Sequence, residues 1–289
     1  MLSTMRIRRL LTLLFVVIYF STLAFLFAYN KLNLDTDKCA VFEPDVSSQS
    51  VDRLKDDSDR DGIKDVVEIA HDAKIFGTNS LNWPDPYHAD LYLELDTQEG
   101  YLVPAEVKKG AVDFYANLDF CNPDGTKGIR LHIDDASLEF YFGGGQVFED
   151  ESQEMYPQLT MMAMHEDEEF FSPDRCGIFR YGLVLKNLGW LASKNEAAGL
   201  GDAPGDTLYL AGESLIRNHE FGIVVITHEL GHNILGQLDE KNWNNEDTAH
   251  DPYGDFMSYR SFGSNLWAHS NVVAELTRDG LLGLSGKCR

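Results

Sequence analysis

Two histidines and a glutamate with the spacing of a zinc site occur in the segment THELGH, residues 227–232. His228 and His232 are four residues apart, so on a helix both imidazole rings project from the same face. Two rings at that spacing can reach one zinc ion at about 2.0–2.1 Å. Glu229 follows His228 directly and can take a proton from a water molecule on the metal. The spacing therefore predicts a zinc site that His228 and His232 hold and in which Glu229 is the base.

A catalytic zinc site needs a third protein ligand, with a fourth position left for water. Asp239 is one candidate downstream of the histidine pair. His250 is the next candidate, and Glu240 is another. Glu275 would be the ligand if the site were of the kind that takes a distant glutamate. These alternatives remain open at the level of the sequence.

The histidine segment resembles the zinc helix of the metzincin metallopeptidases. Their pattern is H-E-x-x-H-x-x-G-x-x-H or D, followed downstream by a turn that contains methionine. Gly236 and Asp239 each lie one position later than that pattern requires. A one-residue insertion at Ile234 restores the order of glycine, two residues and a carboxylate. On this interpretation the resemblance implies Asp239 as the third zinc ligand.

The segment GDFMSY, residues 254–259, resembles the methionine turn of the same family. The resemblance implies that Met257 forms a floor under the zinc. It also implies that Tyr259, two residues later, lies near the metal, where it would bind zinc or stabilise the oxyanion. An isolated methionine would be interpreted as a core residue, so the assignment depends on the zinc helix.

The resemblance implies a zinc-dependent endopeptidase that hydrolyses extended polypeptides. One alternative is a zinc peptidase of the gluzincin type, with a distant glutamate as ligand. A second alternative is a catalytically silent extracellular module for binding or adhesion on the same fold. Retention of Glu229 favours an enzyme, because a scaffold without catalysis has no need of a glutamate beside the zinc.

Residues 57–68, with the sequence DSDRDGIKDVVE, satisfy the calcium-loop pattern D-x-[DN]-x-[DN]-G-x5-E without a gap. Gly62 permits the sharp turn, and calcium takes six to eight oxygen ligands. The segment resembles thrombospondin type 3 and dockerin-like loops. We expect a structural calcium ion at the junction between a tether and the folded domain. Its ligands would be Asp57, Asp59, Asp61, the carbonyl oxygen of Ile63, Asp65 and Glu68.

The N-terminal region has the pattern of a membrane anchor. Arg6, Arg8 and Arg9 precede an uncharged run over residues 10–29. Twenty helical residues span about 30 Å, the thickness of a bilayer core. Basic residues before the run predict a cytoplasmic N-terminus and a single-pass protein of the cell membrane, with its C-terminal domain outside the cytoplasm. The alternative is a cleaved signal peptide and a secreted protein.

The composition agrees with that compartment and excludes one class of partner. A net charge of −23 argues against nucleic-acid binding, which needs a basic patch. Four cysteines, with no C-x-x-C pair, are compatible with two disulfide bonds outside the cytoplasm. The partners expected are therefore a polypeptide substrate and, through the N-terminal helix, the membrane.

The elements that must position these residues are strands and helices in alternation, which predicts an α+β, or mixed α/β, fold. The expected catalytic domain has a small twisted sheet, a long active-site helix and the methionine turn. Strands are expected at 89–95, 128–133, 178–188 and 207–211, and helices at 103–118 and 213–235. The expected organisation is a cytoplasmic N-terminus (1–9), a transmembrane signal-anchor (10–29), a tether (30–55), a calcium-binding segment (56–70) and a zinc metallopeptidase domain (71–289).

Overall fold

A mostly parallel sheet of six strands forms the centre of the fold. The computed structural model describes Cys39 and residues 57–149, 164–165, 167–188, 197–235, 255–258 and 266–281. Across the sheet the order is β2-β1-β4-β6-β5, with β3 also beside β1, and β5 alone runs antiparallel to its neighbour. The strands are β1 (Asp90–Gln98), β2 (Arg130–Asp135), β3 (Val147–Phe148), β4 (Phe179–Leu185), β5 (Gly199–Gly201) and β6 (Thr207–Ala211).

Six α-helices surround the sheet within the described residues. They are α1 (Asp65–Ala70), α2 (Ala73–Phe76), α3 (Ala105–Ala116), α4 (Gly212–Arg217), α5 (His219–Leu235) and α6 (Ser270–Asp279). The mixed α/β architecture predicted from the sequence is confirmed. None of these helices is both long and apolar enough to cross a membrane, and the predicted span at 10–29 lies outside the described residues.

The sheet is covered on both faces, as parallel sheets are. Leu91, Leu93 and Leu95 of β1 join the core cluster that includes residues of α3 and α5. Tyr92 faces the other way and packs in a second cluster with Phe179 and further aromatic residues. The apolar side chains of β1 therefore serve two cores, and the strand is buried along nearly its whole length.

The long helix predicted at 213–235 is two helices. The backbone of Asn218 is extended, with φ −145° and ψ 105°, and this residue separates α4 from α5. α5 is buried from Val224 to its last residue. The hydroxyl of Tyr115 on α3 donates a hydrogen bond to the carbonyl of Thr227, at 2.9 Å. α3 thus fixes the helix that carries the histidines.

The region around residues 57–68 is attached to the last described helix. The amide of Leu281 donates to the carbonyl of Arg60 at 2.9 Å. The guanidinium of Arg60 donates to the carbonyl of Thr277 at 3.0 Å. Cys39, Cys121 and Cys176 are in disulfide bonds, in agreement with the oxidised cysteines expected from the sequence.

Candidate metal centres

The three residues of the predicted zinc motif lie together on α5. His228, Glu229 and His232 are all buried, and one ligand atom from each lies within 4.8 Å of the others. The Nε2 atoms of the two histidines are 3.1 Å apart. Two nitrogen ligands of a tetrahedral zinc at about 2.0–2.1 Å would be about 3.3 Å apart. The histidine pair therefore has the spacing that a zinc ion requires.

The orientation of His228 is set by a backbone carbonyl. Its Nδ1 lies 2.6 Å from the carbonyl oxygen of Phe256. A carbonyl can only accept, so Nδ1 carries the proton and Nε2 keeps its lone pair. This is the tautomer that binds a metal through Nε2, and a carbonyl partner of this kind is the usual support for such a ligand.

Residues 255–258 form the turn in which the sequence predicted a methionine floor. The carboxylate of Asp255 accepts from the amide of Met257 at 2.9 Å and from that of His269 at 2.7 Å. Met257 is fully buried. A Cβ placed on Gly231 of α5 would lie 2.2 Å from its sulfur. Met257 thus packs directly against the helix turn between His228 and His232.

Two glycines of the edge strand β5 approach Glu229. The amide of Gly201 donates a hydrogen bond to its carboxylate. Burial raises the pKa of Glu229 to about 8, although that hydrogen bond opposes the rise. A Cβ on Gly199 would lie 2.5 Å from Cγ of Glu229. The glycines were not singled out in the sequence, where the stretch GLGD around them is typical of a loop.

Of the remaining candidates for the zinc site, only one lies within the described residues. Asp239, Glu240, His250 and Tyr259 lie outside the described residues. Glu275 is described, on α6, and is half-buried. Among the described residues it does not join the cluster of the two histidines and Glu229.

The predicted calcium loop brings its carboxylates together in two overlapping groups. Asp57, Asp59 and Asp61 form the first group. Asp61 also belongs to the second, with Glu68 of α1 and Asp90, the first residue of β1. In each group, one oxygen per residue lies within 4.8 Å of the others. Asp90 lies outside the loop motif, so pattern matching over residues 57–68 could not find it.

The other two predicted calcium ligands are Asp65 and the carbonyl oxygen of Ile63. The carboxylate of Asp65 belongs to neither group, because it accepts from the amide and from the hydroxyl of Ser58, both at 2.7 Å. The side chain of Ile63 is buried in the aromatic core cluster. Its amide donates to Asp61 at 2.6 Å.

The electrostatics of the loop favour a bound cation. Burial raises the pKa of Asp59 to about 8 and that of Glu68 to about 9, and neighbouring carboxylates add to both shifts. Burial also raises the pKa of Asp61 well above its ordinary range. Buried carboxylates are costly unless they are paired or bind a metal. Hard oxygen ligands in this number suit calcium.

A third acidic group, at the carboxyl ends of β1 and β2, is held by donors from the protein itself. Arg175 donates to Glu94 and to Asp134. The hydroxyl of Tyr181 donates to Asp96 at 2.6 Å. Amides of the glycine-rich loop at 142–146 donate to the same aspartates. These contacts fix the loop to the sheet and give each of the three carboxylates a hydrogen-bond donor.

The assignment of the two candidate metal centres therefore rests on the geometry of the described residues and on the sequence motifs. Neither models of protein families nor curated proteins match the chain.

Proposed function

We propose that this protein is a zinc-dependent endopeptidase with a metzincin-like catalytic domain. The observation that carries the proposal is the pair of Nε2 atoms 3.1 Å apart, one of them on a histidine whose tautomer is fixed by the carbonyl of Phe256. That carbonyl comes from the turn that contains Met257. A helix with two zinc-spaced histidines, supported from below by a methionine turn, is the arrangement that the family resemblance implies.

The residues of the zinc motif have different roles in the proposed peptide hydrolysis. His228 and His232 would hold zinc, which, when bound, polarises a peptide carbonyl and lowers the pKa of water. Glu229 accepts the proton of the attacking water molecule and passes it to the leaving amine. The amide of Gly201 keeps the carboxylate of Glu229 in place during both transfers. Burial of all three side chains excludes bulk water, which strengthens each interaction.

Further parts of the proposal concern residues outside the described ranges. Asp239 is proposed as the third zinc ligand, with His250 as the alternative. Tyr259 is proposed to assist at the oxyanion. A gluzincin-type site is less well supported, because Glu275 does not join the histidine cluster among the described residues.

The proposed substrate is an extended polypeptide. Within the described residues β5 pairs only with β6, so its other edge can accept a further strand. Peptides commonly bind in this way, through main-chain hydrogen bonds along a sheet edge. β5 also carries the two glycines that contact Glu229, so a peptide on this edge would pass close to the base.

We also propose that residues 10–29 anchor the protein in the cell membrane with the catalytic domain outside the cytoplasm, or else form a signal that is cleaved before secretion. Calcium is proposed as a structural ion at residues 57–68. Both assignments rest on the sequence, and the calcium assignment is supported by the grouped carboxylates.

The decisive experiment replaces the base and leaves the ligands. Glu229→Gln should retain one zinc per protein and lose nearly all peptidase activity against an unfolded protein substrate, because the amide cannot take the proton. Glu220→Gln is the matched control, an exposed glutamate in the first turn of the same helix, and should behave as the parent does. Zinc is measured by elemental analysis of full-length protein purified in detergent.

Three results would count against the proposal. Full activity of Glu229→Gln would show that Glu229 is not the base. A parent protein that contains no zinc would show that the histidine pair does not form a zinc site. A parent that binds zinc but cleaves no peptide would favour the silent binding module.

A further inference from the structure

We propose that Asp90, the first residue of β1, is a ligand of the calcium ion held by residues 57–68, so that the ion joins the loop to the central sheet. This inference rests on the proposed calcium site and adds to it a residue that lies 22 positions beyond the loop motif. It changes the role of the ion, which then connects two parts of the catalytic domain instead of stiffening a tether.

The start of β1 is in direct contact with the loop. The amide of Asp90 donates to Oδ2 of Asp61 at 2.8 Å. An oxygen of Asp90 lies within 4.8 Å of oxygens of both Asp61 and Glu68. Asp90 is 1% exposed. The three carboxylates therefore surround one buried point between the loop, α1 and the sheet.

Glu68 is the side chain that points to a cation at this position. It is 0% exposed, and neither of its carboxylate oxygens has a hydrogen-bond partner among the described residues. Oδ2 of Asp59 is also buried without a hydrogen-bond partner among the described residues. A buried carboxylate without a partner pays the full cost of desolvation. A divalent cation between Glu68, Asp61 and Asp90 would remove that cost.

The protein supplies too little positive charge to neutralise the group. Arg130 of β2 pairs with Asp90 at 2.6 Å. Asp59, Asp61 and Glu68 form no ion pair among the described residues. A cation bound between Asp61, Glu68 and Asp90 would supply the missing positive charge.

Asp90 already has two side-chain partners, and both are compatible with a role as ligand. Nε2 of His132 lies 2.6 Å from Oδ1, and the guanidinium of Arg130 donates to Oδ2. The amide of Asp85 also donates to Oδ2, at 3.0 Å, so Oδ2 has both of its acceptor positions filled. Oδ1 keeps one position beside His132, and a cation can occupy it. Ligating carboxylates are commonly held by such partners, which fix their orientation.

The competing explanation is that Asp90 serves only as the partner of Arg130 and His132. The two explanations predict different effects on calcium binding when Asp90 or its partner Arg130 is replaced. If Asp90 is a ligand, Asp90→Asn weakens calcium binding by clearly more than Arg130→Gln, which removes only an orienting partner. If Asp90 is an ion-pair partner alone, the two variants have similar and small effects on calcium.

The experiment titrates calcium alone into zinc-loaded, full-length protein and measures heat and tryptophan fluorescence. Asp90→Asn and Glu68→Gln should each weaken calcium binding by at least about tenfold, the lower end of what loss of even an outer residue causes at a metal site. Arg130→Gln should weaken calcium binding less than Asp90→Asn does, because it removes only a partner that orients the ligand. The exposed Asp113→Asn should stay within about threefold of the parent, which is ordinary context variation for a surface charge.

A second measurement uses the parent protein, so it does not depend on the folding of a variant. Calcium should slow amide hydrogen exchange at residues 85–92 as well as at 57–68, because a ligand on β1 fixes both segments. Protection confined to 57–68, or parent-like affinity in Asp90→Asn, would overturn the role of Asp90. Failure of the parent to bind calcium would overturn the calcium site itself, whereas the zinc content would still report on the peptidase proposal.

Discussion

The backbone amide of Gly201, on the edge strand β5, donates a hydrogen bond to the carboxylate of Glu229 on α5. The two elements are close enough that Gly199, two residues earlier, has no room for a side chain beside Cγ of Glu229. The proposed base is therefore positioned by the same strand that would bind the substrate.

We predict that Gly199→Ala lowers kcat while the protein keeps its zinc. The added Cβ would lie 2.5 Å from Cγ of Glu229, so the side chain must move. A displacement of about 1 Å at a catalytic group can cost about a hundredfold in rate. Peptidase kinetics and zinc content are measured on the same preparation. Loss of zinc in parallel with activity would show that the substitution disturbs α5 instead of the base.

The contact between Met257 and Gly231 gives a second prediction. Gly231→Ala would place a Cβ 2.2 Å from the sulfur of Met257 and 2.8 Å from the ring of Phe256. Overpacking of this kind costs about 1–3 kcal/mol of unfolding free energy. Met257→Leu, which nearly conserves volume, should cost less than about 1.5 kcal/mol.

Denaturation by urea measures the unfolding free energy of Gly231→Ala, of Met257→Leu, of Met257→Ala and of the double variant Gly231→Ala with Met257→Ala. If the clash is with Met257, the double variant is more stable than the sum of the two single changes. Strict additivity would mean that the ring of Phe256 is the obstacle.

The third zinc ligand can be identified by three alanine variants. Asp239→Ala should lose zinc during dialysis against a weak chelator, because a site with three protein ligands becomes one with two. His250→Ala and Glu275→Ala should retain it. Should His250→Ala empty the site while Asp239→Ala does not, the one-residue insertion at Ile234 is the wrong interpretation of the motif.

The buried pair of Glu94 and Arg175 predicts a pH dependence of stability. Burial raises the pKa of Glu94 from 4.5 to about 7, although Arg175 opposes the rise. The folded state therefore holds this proton more tightly than the unfolded chain does. The stabilisation is complete below pH 4.5 and is lost as the pH rises through about 7, by at most about 1.4 kcal/mol per pH unit.

Glu94→Gln should flatten this decline in the unfolding free energy, since the amide does not titrate and Arg175 keeps Asp134 as a partner. Glu139→Gln is the control, an exposed glutamate paired with Lys109. Urea denaturation at several pH values, with saturating calcium throughout, measures both. A parent-like slope in Glu94→Gln would assign the decline to other groups, of which Asp96 is the nearest.

Local patterns were enough to predict several elements and the zinc motif. The helix expected at 213–235 contains α5, and the strand expected at 89–95, where apolar and polar residues alternate, corresponds to β1. The same alternation would suggest a strand with a solvent-facing side, yet Glu94 and Asp96 are buried. Their partners, Arg175 and Tyr181, are far away in the sequence, so local pattern could not reveal them.

Residues brought together by tertiary contact were the ones missed. Asp90 belongs to a strand and not to the calcium motif, so only its pairing with Asp61 identifies it. Gly201 has no side chain, and its role comes entirely from its amide. The division of the predicted helix at Asn218 depends on how α4 follows β6, which periodicity within 213–235 does not report.

The hydrogen bonds between Arg60 and residues 277–281 have a consequence for biosynthesis. The guanidinium contact joins residues that are 217 positions apart, so it can form only after nearly all of the domain has been made. At ordinary translation rates that interval is about 10–40 s. Throughout it, the first acidic segment outside the predicted anchor lacks its partner from α6. A nascent chain halted before residue 277 would therefore lack this hydrogen bond between the calcium-loop segment and α6.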